Sequence, residues 1–146
     1  METAPAHYGR IRPQADYAQS LELLRRGSEA TIITYGALTP TVMEAWSLLV
    51  RDGKSVAVLN MASLVPLDKD AVLEAAGNGP VVTVEDHHVD TGLGAMVALV
   101  LAEAGKAVPF KRCGVKFYGG SGQPAELYAR QGLDAGSIAA VVQGLL

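Results

Sequence analysis

Short apolar runs alternate along this chain with stretches whose apolar residues return every three or four positions, as strands interleaved with helices require. Thr31 to Tyr35 is a β-branched run bounded by Gly36, which predicts a strand. Thr39 is placed to cap the next helix, with Pro40 in its first turn, where a missing N–H costs nothing. Val42, Ala45, Trp46 and Leu49 share one helical face, Glu44, Ser47 and Arg51 lie nearer solvent, and Gly53 ends the helix. Met43, Trp46 and Met61 read as core residues.

Ser55 to Leu59, with Val56 and Val58 alternating, predicts a second strand. Asp68 is a natural N-cap for a helix over Lys69 to Ala76, which Gly77, Asn78 and Gly79 break. Val81 to Val84 is apolar on both faces apart from Thr83, as a strand in a covered parallel sheet must be. Gly92 and Gly94 lead into a helix from about Leu93 to Ala104 that is apolar on nearly every side. Such a helix requires cover beyond the sheet itself. Ala107 to Arg112 predicts a fourth strand, Phe117 to Gly122 a loop, and Pro124 to Arg130 a short helix. Asp134 caps a last helix over Ala135 to Gln143. Strands alternating with helices through short connections give a three-layer α/β/α domain.

Before Thr31 the pattern is weaker. Residues 1–13 read as an irregular arm punctuated by Pro5, Gly9 and Pro13, and 14–146 as the domain. Within it, Ala15 to Arg26 fits either a helix or a short strand with a turn ending at Gly27.

A chain of 146 residues is one domain by length and can bury a substantial core. Its net charge of −3 offers no broad attraction to phosphate backbones, which argues against a nucleic-acid partner. The single cysteine, Cys113, excludes an internal disulfide and reads as an inert thiol at a strand end. The most apolar run, Ala95 to Ala102, is far below the roughly 20 residues that span a bilayer. The amino terminus lacks the apolar core of a secretory signal. A cytoplasmic protein with no membrane partner is expected.

Candidate chemistry concentrates where a predicted strand feeds a helix, at Glu85-Asp86-His87-His88. Adjacent histidines in an extended segment point oppositely and make a poor pair of ligands to one metal. Glu85 and His87 can share a face, for acid–base work or for polar positioning at a subunit boundary. No serine lies in a G-x-S-x-G elbow, so hydrolase chemistry lacks its nucleophile. Gly92-Leu93-Gly94 resembles part of a phosphate turn, but the third glycine of G-x-G-x-x-G would fall at Val97. Its N–H groups can hold an anion or its glycines can serve close packing. Gly119, Gly120, Ser121 and Gly122, supplemented by Lys116 and Tyr118, can form an anion nest or a plain connector. A polar strand tip without the rest of an active site suggests a protein that completes something larger.

Several ordered blocks carry a family resemblance: Tyr8-Gly9-Arg10, Gly27 to Gly36, Glu44-Ala45, Pro66-Leu67-Asp68, Val82 to His87, Gly92-Leu93-Gly94 and Phe117 to Gly122. Together they cover nearly the whole chain, which resembles the carboxy-terminal domain of transketolases. Deoxyxylulose-phosphate synthases and 2-oxoacid dehydrogenase beta subunits share that domain. Thr91 departs from the pattern, standing where many relatives have another glycine.

The resemblance implies a mixed five-stranded sheet whose first strand is antiparallel, and it favours a strand near Ser28 to Tyr35. It also implies that thiamine diphosphate and its magnesium ion bind between two other domains, leaving no cofactor in this chain. The diphosphate-binding domain's Gly-Asp-Gly motif is missing here, and the sequence starts where a pyrimidine-binding domain would end. The expected role is a non-catalytic subunit or fragment of a transketolase that moves two-carbon ketol units between sugar phosphates. Its expected partners are the two missing domains and further copies of itself. Glu85, Asp86 and His87 are the expected contacts, with Gly92 and Gly94 shaping their support. The alternatives are a free-standing module binding a small anion or phosphometabolite at the Gly92 or Gly119 turn, or the C-terminal part of a related deoxyxylulose-phosphate synthase or 2-oxoacid dehydrogenase beta subunit.

Overall fold

The computed structural model describes residues 21–62, 64, 67–117 and 121–146. The arm over 1–13, Pro66, Tyr118, Gly119 and Gly120 therefore lie outside the described residues. Among the described residues, five strands and five α-helices follow in the order β1 (Leu21–Arg25), β2 (Ala30–Thr34), α1 (Thr39–Arg51), β3 (Val56–Met61), α2 (Lys69–Ala76), β4 (Val81–His88), α3 (Leu93–Glu103), β5 (Phe110–Val115), α4 (Pro124–Arg130) and α5 (Ala135–Leu145).

The strands form one mixed sheet in the order β1-β3-β2-β4-β5. β1 runs antiparallel to β3, and the other pairs are parallel. The antiparallel strand comes from the segment that fitted either a helix or a short strand. Pairing decides for the strand, since Leu21 to Leu23 lie opposite Met61 to Leu59.

Two apolar clusters sandwich the sheet. Ile32, Val58, Val82 and Val84 pack with Val42, Ala45 and Leu49 of α1 and Ile138 and Val142 of α5. Ile33, Ala57, Leu59 and Val81 pack on the other face with Val72 and Ala75 of α2 and Leu93 and Val97 of α3. Alternation of side chains along each strand sends neighbours such as Ile32 and Ile33 to opposite cores.

Thr39 does not cap α1. A 3-10 turn at Gly36–Leu38 leads directly into the helix, Leu38 occupies the cap position without a side-chain bond, and Thr39 is the first helical residue. Asp68 and Asp134 do cap α2 and α5, accepting the N–H of Ala71 at 3.1 Å and of Ser137 at 3.1 Å.

Trp46 is only partly buried. Its indole N–H donates to the Val56 carbonyl at 2.9 Å, and the Arg25 guanidinium lies 4.9 Å from the ring centre.

Two strands run further along the chain than the apolar pattern suggests. β3 continues through Asn60 to Met61 because β1 pairs with that end. β5 starts at Phe110 rather than Ala107, its register set by Val81 opposite Phe110. A Cβ at Gly114 would lie 2.8 Å from Val89 and 2.9 Å from the His87 carbonyl, so the strand needs glycine where it crosses the tip of β4.

Candidate functional site at the strand tips

β2 feeds α1 on one face of the sheet, whereas the neighbouring β4 feeds α3 on the other. Their connections diverge, which makes the carboxyl ends of these two strands the topological switch point, the usual ligand position in open α/β sheets. Tyr35 stands at the end of β2. Glu85, Asp86, His87 and His88 form the end of β4.

Glu85 is fully buried. Its Oε1 accepts the N–H of Leu93 at 2.7 Å, and its Oε2 accepts the N–H of Gly94 at 2.8 Å. Gly92, at the cap position of α3, has no side chain to satisfy those donors. The strand residue supplies the missing cap from eight positions upstream. Burial pushes the Glu85 carboxyl up. The two N–H groups, His87 and Arg112 pull it partway back.

Both glycines of the turn are required by contact. A Cβ on Gly92 would overlap Glu85 Oε1 and lie 2.8 Å from the His87 ring. One on Gly94 would lie 2.8 Å from Thr83 Oγ1 and from Arg112 Cγ. Thr83 Oγ1 is buried without a hydrogen-bond partner among the described residues, held there by this close helix–strand approach. Arg112 of β5 fastens the turn, donating to the Val89 carbonyl at 2.9 Å and to Asp90 Oδ1 at 3.1 Å.

Asp86 and His87 are exposed, and His88 is half-buried. His87 Nε2 lies 3.3 Å from Thr91 Oγ1, while His88 Nδ1 accepts the Asp90 N–H at 3.2 Å. The hydroxyl of Tyr128, on α4, donates to Asp86 Oδ2 at 2.9 Å. That bond holds the Tyr128 phenol above its ordinary value, aided by burial. Burial raises the Tyr35 phenol as well, helped by the nearby Glu85 and Asp86 charges.

The structure thus gathers Glu85, Asp86, His87, Gly92 and Gly94 into one region. Ser121 and Gly122 are exposed on the approach to α4, and Gly122 has φ +155°. The sequence reading missed Tyr128, Arg112 and Gln131. Gln131 accepts the Lys116 N–H at 2.9 Å and donates to the Phe117 carbonyl at 2.7 Å, bracing the exit of β5. Long-range pairs of this kind leave no mark in local spacing.

The described residues do not fit a diphosphate-bearing coenzyme with its metal. The α3 N–H groups that would receive a phosphate already hold Glu85. No group of three acidic, histidine or cysteine side chains among the described residues is placed to hold a metal ion. A groove of about 300 Å³ between α2 and α3 has apolar walls with one lysine and one glutamate. No helix among the described residues is long and apolar enough to cross a membrane.

With that geometry in view, the chain belongs to the transketolase C-terminal domain family, whose model matches residues 19–138. It is 40% identical over 128 residues to the 1-deoxy-D-xylulose-5-phosphate synthase of Syntrophotalea carbinolica, covering 86% of this chain and 20% of that protein. It is 36% identical over 119 residues to a putative transketolase C-terminal section of Methanocaldococcus jannaschii, covering 81% of this chain and 37% of that protein. A solved split gene transketolase, described as an inactive beta4 tetramer, superposes with a TM-score of 0.84 at 34% identity. That superposition covers 98% of this chain and 46% of the other. The chain spans about a fifth to two fifths of the length of these curated relatives.

Proposed function

We propose that this chain is the non-catalytic C-terminal unit of a thiamine diphosphate-dependent, transketolase-like enzyme in the cytoplasm. It supports assembly with the diphosphate-binding and pyrimidine-binding domains that carry the coenzyme and magnesium. The completed enzyme moves two-carbon ketol units between sugar phosphates. The observation that carries this reading is the match to a terminal domain over most of the chain, against only a fraction of its relatives' length. The split organisation of the structural relative supports a separately supplied unit.

Asp86 and His87, exposed at the tip of β4, are the contacts we assign to the missing domains, and Gly119, Gly120, Ser121 and Gly122 are assigned to the same role. Glu85, Gly92 and Gly94 act from beneath, fixing the turn that presents those side chains. The chain's own residues thereby position a surface rather than move a proton or bond.

The purified chain, added to separately produced diphosphate-binding and pyrimidine-binding domains with thiamine diphosphate and magnesium, is expected to restore ketol transfer. Turnover by the chain alone, or no complex and no gain in activity, overturns the reading. A second reading rests on the 40% identity to a 1-deoxy-D-xylulose-5-phosphate synthase. If the restored enzyme forms 1-deoxy-D-xylulose-5-phosphate instead of exchanging ketol units, that reading replaces the first.

A further inference from the structure

Strand alternation sends Asp86 and His87 to opposite sides of the β4 tip, and a hydroxyl from another segment meets each of them. Tyr128 of α4 donates to Asp86 Oδ2 at 2.9 Å. Thr91 Oγ1, in the turn into α3, pairs with His87 Nε2 at 3.3 Å. Both tip side chains are exposed. An exposed side chain left to itself samples several rotamers, and a complex that needs one of them must order it. A tip already held in place binds without that cost.

Tyr128 is built for such a task. Its half-buried ring packs against the cluster beneath α1 and α5, while its hydroxyl reaches the strand tip. Gln131, which ends α4, bonds the Lys116 N–H and the Phe117 carbonyl and so steadies the helix that carries the tyrosine.

The two exposed aspartates of this region are met differently. Arg112 pairs with Asp90 at 3.1 Å. The group that meets Asp86 is a neutral phenol, which orients the carboxylate and leaves its charge intact. Burial first, then the charges of Glu85 and Asp86, raise the neighbouring Tyr35 phenol. The negative field of the tip therefore extends over the end of β2, and the surface that complements it carries a cation.

We infer that Tyr128 is a positioning residue, holding Asp86 ready for a cationic side chain on one of the completing domains, as Thr91 holds His87. The inference rests on the assembly role proposed above and names the chemistry of its contact.

Calorimetry of the full chain against separately produced diphosphate-binding and pyrimidine-binding domains, with thiamine diphosphate and magnesium at several salt concentrations, tests it. The wild-type complex is expected to weaken as salt rises. Asp86→Ala should weaken it about tenfold and flatten that salt dependence. Tyr128→Phe, which keeps the ring and loses the hydroxyl, should weaken it about fivefold, and Thr91→Val about threefold. In the Asp86→Ala background Tyr128→Phe should have no further effect, because the hydroxyl acts through the carboxylate. A merely structural role for Tyr128 would weaken binding equally in both backgrounds.

Tyr128→Phe that binds as tightly as wild type overturns the inference, and so does an equal loss in both backgrounds. A salt dependence that survives Asp86→Ala removes the cationic partner. Variants that all bind and restore ketol transfer like wild type sink this contact and leave the assembly role intact. A wild-type chain that forms no complex overturns both.

Discussion

Glu85 Oε2 accepts the backbone N–H of Gly94 at 2.8 Å with the glutamate completely buried, so a strand residue caps the helix that follows it. The second oxygen does the same for Leu93. The strand tip, the turn and the start of α3 therefore hold together through one side chain. Glu85→Ala leaves two buried N–H groups without a partner and is expected to cost about 2–4 kcal/mol. Urea unfolding followed by the fluorescence of Trp46, the single tryptophan, measures it. A loss below about 0.5 kcal/mol would show that water replaces the carboxylate freely.

The same carboxyl sets a pH dependence. Burial holds it above the ordinary value of 4.5, so the folded chain binds that proton more tightly than the unfolded chain. Its contribution is fully present below 4.5 and is lost as pH rises through the folded value. The stability margin of wild type over Glu85→Gln is expected to be wider in mild acid than at neutral pH. A margin that widens toward neutral pH would mean that the paired N–H groups outweigh desolvation.

Two glycine substitutions should act in opposite directions. Gly92→Ala forces a methyl group onto the Glu85 carboxylate and is expected to destabilise by about 1–3 kcal/mol. Gly144 lies in α5, with nothing within 4 Å of an added Cβ. Gly144→Ala should stabilise by about 0.5 kcal/mol through helix propensity. Thermal melts of both variants compare the two effects directly, and equal shifts would refute the contact argument.

Asp134 caps α5 through the N–H of Ser137 at 3.1 Å and its hydroxyl at 2.6 Å. These bonds lower its carboxyl from the ordinary 3.8. The stabilisation is present above that value and is lost as pH falls through the folded one. Asp134→Ala is expected to cost about 1 kcal/mol at neutral pH. That cost should fade in acid, as denaturant titrations at several pH values will record.

Cys113 is buried in the cluster beneath α1 and α5, and desolvation pushes its thiol up to about 11. At mildly alkaline pH it should react with a disulfide reagent far more slowly than a free thiol, because little thiolate forms. Denaturant should release full reactivity. Immediate labelling of the native chain would contradict its burial.

Local chemistry made much of this protein legible. The β-branched run at Thr31 to Tyr35, the aspartate caps at Asp68 and Asp134 and the glycine stops each act within a turn or a strand, so composition and spacing report them. The polar tip at Glu85 to His88 was visible as well, and so was the glycine-framed entry to α3.

Tertiary structure alone decided what depends on residues far apart in the chain. Leu21 to Arg25 is a strand because β3 pairs with it, and β5 takes its bounds from β4. Within one polar run, Glu85 points inward to the α3 N–H groups while Asp86 points outward to Tyr128. Sequence lists those two carboxylates as neighbours of one kind. Strand alternation and the arrival of distant helices separate them, because burial and hydrogen-bond partners are set only when the sheet is assembled.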